Sequence, residues 1–205
     1  MNQRMRSVEL YNMDILDREP KLEPVDIKPK RMVGFNYAKS RNISNACVHF
    51  FIDDYQFERI WQFPTRYGYL AKAECVCTPD WSLWVDAPVE LQQWNAYRNT
   101  AMGAWWQQNG IVVVPTLMWA DEPSFEWCFK YTPKYSTVAV CAKGTQNSKA
   151  NKRAFSLGME AALDICKPTR ILLVGKADFD FGDVEVVRYD DEQIRRFADG
   201  RQRLR

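Results

Sequence analysis

Apolar runs and amphipathic stretches take turns along most of this chain. RMVGFNYA (31–38) predicts a first short strand, and CVHFFIDDY (47–55) a second that ends in two acids. FERIWQFPTRYGYLAK (57–72) has a helical pattern broken at Pro64, and AECVCTPD (73–80) is a strand ending at Pro79-Asp80. The clearest helix runs from Pro88 to Asn109. Pro88 suits its first turn, Asp86 or Ala87 its cap and Gly110 its stop, while Leu91, Trp94, Ala101, Ala104 and Trp105 fall along one side. IVVVPTLMW (111–119) is nearly all apolar, as a strand covered on both faces must be. A short helix at 124–131 with Ser124 as cap follows, then a strand at 136–144 and a helix at 148–166 capped by Ser148 and stopped by Pro168. Strands at 170–176 and 183–190 and a final helix over DEQIRRFADG complete the reading.

Strand and helix therefore alternate at least four times with short connections. That rhythm requires parallel strands joined by right-handed crossovers. The expected fold is α/β: a mostly parallel sheet of six or seven strands with flanking helices, either open or an incomplete (β/α) barrel. A complete eight-fold barrel needs about 250 residues, and this chain has 205. Residues 1–30 break the rhythm. DREPKLEPVDIKPK carries three prolines among alternating charges and reads as an extended arm, leaving 31–205 as a single α/β domain with a basic C-terminal helix.

Composition narrows the classes. Hydrophobic residues at 46% and charged residues at 26% exclude wholesale disorder. A net charge of +2 marks no nucleic-acid binder by itself, although Arg195, Arg196, Arg201, Arg203 and Arg205 crowd the C-terminus against Asp199. The N-terminus MNQRMRSVEL has no apolar leader core, and the six cysteines sit mostly in apolar runs, so they are expected as reduced thiols in a cytoplasm. With His49 the only histidine, no zinc site is expected. No apolar run approaches the roughly 20 residues of a membrane span, so no membrane partner is expected.

Candidate chemistry lies where parallel α/β folds place it, at the carboxyl ends of the strands. Those ends read Asp53-Asp54-Tyr55, then Thr78-Pro79-Asp80-Trp81-Ser82, then Trp119, Asp121 and Glu122, then Lys143-Gly144, then Gly175-Lys176 followed by Asp178, Asp180 and Asp183. Two carboxylates in unlike surroundings can divide acid and base roles, or flank a glycosidic bond. Several together can hold Mg²⁺, the candidate cofactor. Asp80 is the expected central carboxylate, with Asp53 or Asp54 as its partner; Ser82, Asn95 and Arg98 are expected to orient a substrate, with Asp121 beside them and Trp81 or Trp119 stacking on it. Each single acid has an ordinary alternative as a helix cap or turn residue. Gln92, Asn95, Arg98 and Asn99 share a helical face, either solvated or recognising a base or phosphate. No phosphate-loop, dinucleotide-loop or G-x-S-x-G signature occurs.

GFNYAKS, VHFFIDDYQFERIW, VCTPDWSLWVDAPVELQQWNAYRNTAMGAWWQQNGIVVVPTLMWAD and STVAVCAKG together resemble the uncharacterised phage and mobile-element family domain of unknown function 4417. The resemblance spans about 31–176 and rests on Phe51 to Phe57, Pro79-Asp80, Ser82, Gln93, Asn95, Arg98, Gly103, Gln107, Gly110, Pro115 and Trp119; Cys141-Ala142 departs from the smaller, more polar residues expected there. It implies a phage or mobile element and a bacterial host cytoplasm, with no established mechanism. Two readings follow. One is a carboxylate-based enzyme acting on a nucleotide or nucleic acid, with glycosidic cleavage or transfer as its chemistry. The other is a non-catalytic accessory protein that binds a host or phage protein or nucleic acid through its arm, tryptophans and Arg-rich tail.

Overall fold

The computed structural model describes residues 20–190. Seven strands run parallel: β1 (Met32–Gly34), β2 (Cys47–His49), β3 (Cys75–Cys77), β4 (Val113–Val114), β5 (Thr137–Cys141), β6 (Arg170–Val174) and β7 (Glu185–Tyr189). The first four pair in chain order as one sheet and the last three as another, every pair parallel. A parallel bridge between Thr116 and Ala139, with Leu117 N–H donating to the Ala139 carbonyl at 2.8 Å, joins the two sheets. The strand order is thus 1 to 7 without reversal. Right-handed crossovers between consecutive strands then all lie on the same side.

That sheet is curled. Met32, Cys47, Cys75, Cys77, Val114, Ala139, Leu172 and Val174 form one buried cluster, with Val187 and Tyr189 packed against it. These side chains come from all seven strands. In a flat sheet β1 and β7 would stand roughly 29 Å apart, six strand spacings, yet Tyr189 Oη of β7 donates to the carbonyl of Pro29, three residues before β1, at 2.5 Å. The alternative that sequence left open is resolved in favour of an incomplete barrel, its interior filled by side chains as in closed (β/α) barrels. The three interior thiols Cys47, Cys75 and Cys77 are pushed up in pKa, Cys47 and Cys77 chiefly by burial and Cys75 chiefly by its hydrogen bond with Cys47, and stay neutral. Two further clusters lie outside the barrel wall, where helices cover the opposite faces of the strands.

The helices are α1 (Arg59–Gln62), α2 (Val89–Gln108), α3 (Phe125–Cys128) and α4 (Lys149–Cys166). Pro64 ends α1, and the chain continues to Lys72 as 3₁₀ turns, because proline cannot donate to the helical ladder. The strand expected over 111–119 shortens to two residues, since Pro115 has no N–H for a ladder. The α4 cap is as the sequence reads: the Ser148 hydroxyl accepts from Asn151 N–H at 3.1 Å. The final helix expected over DEQIRRFADG and the Arg-rich tail lie outside the described residues.

Residues 20–30 run extended across the amino ends of the strands. Val25 and Ile27 insert into the barrel interior. Their N–H groups donate to Ser136 Oγ at 3.0 Å and Thr137 Oγ1 at 3.1 Å. Arg170 bridges Asp26 of this segment and Glu185 of β7, and Lys28 reaches Glu185 at 2.6 Å. The amino end of the barrel is therefore stoppered by the chain's own arm, and the open end is the other one.

Candidate functional site

A cavity of about 650 Å³ opens at the carboxyl ends of β2 to β5. Phe51, Asp53, Asp80, Ser82, Trp84, Trp119, Lys143, Thr145 and Asn151 are among its walls. Its central feature is Asp80. The side chain keeps part of its surface open and lines the cavity. Burial, reinforced by the negative charge of Asp54, raises its pKa to about 7. Asp80 thus stays protonated close to neutrality, as a proton donor facing an open chamber.

A buried polar network holds the loop that carries it. This loop joins β3 to α2, and α2 grips it with an amide stripe. Gln92 Nε2 donates to the Ala87 carbonyl at 3.0 Å, Asn95 Nδ2 to the Ser82 carbonyl at 2.8 Å, and Asn99 Nδ2 to the Pro79 carbonyl at 2.8 Å. The spacing of three and four residues puts these amides on one face of the helix. An irregular loop leaves carbonyls without a ladder, and the amides satisfy them. The buried positions of α2 therefore include Gln92, Asn95, Arg98 and Asn99 together with Ala96, Ala101, Met102, Ala104 and Trp106, while Leu91 is 49% exposed. Of the apolar side expected through Leu91, Trp94, Ala101, Ala104 and Trp105, the alanines are buried, the two tryptophans pack partly buried against the core and Leu91 faces out; the amides share the inside because each finds a backbone partner.

Behind the amides, Arg98 is 8% exposed and donates to Glu58 Oε1 and to Asn95 Oδ1, both at 2.6 Å. Its guanidinium lies 4.2 Å from the Trp81 ring. Trp81 Nε1 donates to Glu58 Oε2 at 2.7 Å, so a single carboxylate ties the helix to the loop. Burial lowers the Arg98 pKa and the Glu58 charge opposes that shift. Asp54 accepts from the Ser82 N–H and hydroxyl, both at 3.0 Å.

The expected residues therefore separate into two groups. Asp80, Asp53, Ser82, Trp81 and Trp119 border the cavity. Trp81 is fully buried, so its ring packs under the loop and is unavailable for stacking on a ligand. Asp54, Asn95 and Arg98 stand behind the wall and position the loop. Asp121 forms a capping box with Ser124 at the start of the turn before α3, and it does not border the cavity. Glu58 carries no local signal in the sequence, since its partners Trp81 and Arg98 lie 23 and 40 residues away. Trp84, 66% exposed, and Asn151 also went unread. His49 is a core histidine whose Nδ1 accepts from the Phe51 N–H at 3.2 Å.

Trp119 is wedged against α4. Its Nε1 donates to the Ala154 carbonyl at 3.2 Å, and a Cβ on Gly158 would fall 2.0 Å from its ring. Gly158→Ala is expected to push the indole out of the cavity wall and to destabilise the fold by about 2 kcal/mol, overpacking outweighing the gain in helix propensity. Urea denaturation checks it; a loss under about 0.5 kcal/mol would show that the indole relocates freely.

Among the described residues no group of three or more His, Cys, Asp or Glu is placed to hold a metal ion, and no helix is long and apolar enough to cross a membrane. In comparisons with known proteins, the family model described as "Domain of unknown function (DUF4417)" matches residues 11–190. The chain is similar to the "Gene 1 protein" of Mycobacterium phage L5, 36% identical over 77% of this chain and 70% of that protein. It is also similar to the "Gene 1 protein" of Mycobacterium phage D29, 37% identical over 77% of this chain and 60% of that protein. No solved structure matches.

Proposed function

The chain belongs to the DUF4417 family, alongside phage proteins, and we propose that it is an enzyme that cleaves or transfers at the glycosidic bond of a nucleotide or a nucleic-acid unit in the cavity at the barrel mouth. One observation carries this reading: a carboxyl group protonated up to about pH 7, facing an open cavity. Asp80 is the general acid. It gives its proton to the departing base as the carbon–nitrogen bond breaks. Water supplies the new carbon–oxygen bond, and Asp53, which also lines the cavity, accepts the proton that water loses. Trp84 and Trp119 offer ring faces for a base, and Lys143 places a cation at the rim. Mg²⁺ addition is one arm of the test. The host cytoplasm, where phage proteins meet nucleotides, is the proposed setting.

The accessory-protein reading draws on one feature. Trp84, Val85, Val89 and Leu91 are all substantially exposed on the loop and first turn beside the cavity, an apolar cluster suited to a protein partner.

The deciding experiment incubates the chain with nucleosides, nucleotides and short single- and double-stranded DNA and RNA, with and without Mg²⁺, and follows free base by chromatography. Base release by the wild type, lost by at least a hundredfold in Asp80→Asn, is the expected result. Absence of release from every substrate, with no thermal shift that separates wild type from Asp80→Asn, would overturn the enzymatic reading and favour the accessory one.

A further inference from the structure

Away from the cavity, two connections build a surface of another kind. The β1–β2 connection (34–46) and the stretch from α1 through its 3₁₀ continuation (59–73) together hold Lys39, Arg41, Arg59, Arg66 and Lys72, and neither contains an Asp or Glu. The bounding acids are Glu58, which is engaged with Arg98, and Glu74. Five cations on two stretches that carry no acid of their own stand out in a chain whose net charge is only +2.

Aromatic rings are interleaved with these cations. Lys39 Nζ lies 5.9 Å from the Tyr69 ring centroid, the Arg41 guanidinium 4.9 Å from that of Tyr37, and the Arg66 guanidinium 4.2 Å from that of Phe63. The first of these contacts joins the two connections, and so does the Phe35–Tyr67 ring pair at 5.5 Å. The patch is one continuous surface. Lys39, Arg59, Arg66 and Lys72 are exposed, Phe63 is 42% exposed, and Tyr37, Tyr67 and Tyr69 are half-buried. None of these residues borders the cavity.

We propose that this face binds single-stranded nucleic acid. The exposed cations Lys39, Arg59, Arg66 and Lys72 can track a phosphate backbone, and neighbouring ring faces accept unpaired bases. The local structure argues against a duplex as ligand. Duplex bases are stacked internally and leave nothing for Phe63 or the tyrosines to stack on. The face is made of turns and 3₁₀ segments, with no helix long enough to enter a major groove. An acidic protein would use the cations and leave the rings idle. The surface goes beyond the reaction proposed for the cavity and does not depend on it.

The test measures binding of the full chain to a fluorescent oligothymidylate of about 20 nucleotides by anisotropy, over a series of salt concentrations. Lys39→Gln with Arg66→Gln is expected to weaken binding about tenfold or more at low salt and to reduce the slope of log K against log salt by about 1.4, two phosphate contacts on a single strand. Phe63→Ala is expected to weaken it at least about fivefold, the size of the weakest stacking contacts, with the slope unchanged. All three side chains are exposed, and unchanged melting temperatures confirm folding. One variant serves as a control: a chain with Arg195, Arg196, Arg201, Arg203 and Arg205 changed to Gln. It should bind as the wild type does. The proposal is overturned if the oligonucleotide does not bind, if the tail variant alone abolishes binding, if Phe63→Ala has no effect, or if polyglutamate competes as well as the oligonucleotide does. Because binding is read by anisotropy and the cavity reaction by base release, failure here is separable from failure of the cavity reaction.

Discussion

Asp80→Asn is expected to stabilise the folded protein by about 2–4 kcal/mol at pH 8 while abolishing turnover. In an unfolded chain an aspartate ionises near pH 3.9. In the fold, burial and the Asp54 charge hold the Asp80 proton up to about pH 7. Between those values the native state keeps a proton that the unfolded state has released. Unfolding free energy therefore falls as pH rises from about 4 to 7 and stays low above that. About three units at 1.36 kcal/mol each sets an upper bound near 4 kcal/mol. Asparagine carries no charge at any pH and removes the fall. Below pH 4 the two proteins should be equally stable. Asp54→Asn should recover a smaller part of the same effect, since its charge is the lesser cause, and it also gives up the two Ser82 bonds. Urea titrations at half-unit intervals from pH 4 to 8.5 measure this directly. A wild-type profile that is flat over that range, or an asparagine variant less stable at pH 8, would remove Asp80 as a strained acid. The expected combination, more stability with less activity, is the mark of a group held out of its preferred state for use.

Arg98→Met should act in the opposite direction, with a loss of about 2–3 kcal/mol. The guanidinium serves Glu58, Asn95 and the Trp81 ring at once. Breaking a fully buried ion pair costs about 3–5 kcal/mol. Here the Glu58 side chain is 41% exposed and water can partly replace its partner, which lowers the figure. Arg98 Nε is itself buried without a partner, a penalty that methionine removes. The larger consequence falls on the loop. Without Arg98, Glu58 and Trp81 are no longer tied to α2, and the Pro79–Ser82 segment loosens. Water then reaches Asp80, and its pKa drops toward the ordinary carboxylate value. Two readouts follow: faster amide exchange over residues 79–87, and a shallower fall of stability between pH 4 and 7. Unchanged exchange over that loop, with a stability loss below about 0.5 kcal/mol, would show that the amide stripe alone holds it.

These expectations show how unevenly the site could be read before the fold was known. Asp80 was legible because its setting is local: a buried strand, a proline that ends it and an acid at the carboxyl end. The strands themselves were legible from apolar runs, with errors where proline shortened a ladder. The polar face of α2 was visible as a spacing, yet its role was not. Amides at positions 92, 95 and 99 have the same periodicity whether they face water or a loop. Only the path of the 79–87 segment decides which. Trp81 and Trp119 read alike in sequence, but one is sealed beneath the loop and the other lines the cavity, because burial depends on what packs from distant parts of the chain.

The sequence by itself determined the α/β class, the alternation of parallel strands and helices, the position of Asp80 at a strand end and the membership of a phage protein family. Periodicity and turn chemistry act over a few residues, and those features are written at that range. Tertiary structure alone decided that the sheet curls into an incomplete barrel, that the arm stoppers its amino end, and that Glu58, Asp54 and Arg98 support the acid from behind. Each of those rests on contacts between residues far apart in the chain, such as Val25 with Ser136 and Glu58 with Arg98. The pKa of Asp80 belongs with them. It is set by how much water the folded chain excludes and by which charge the fold leaves beside it, and neither quantity is encoded at position 80.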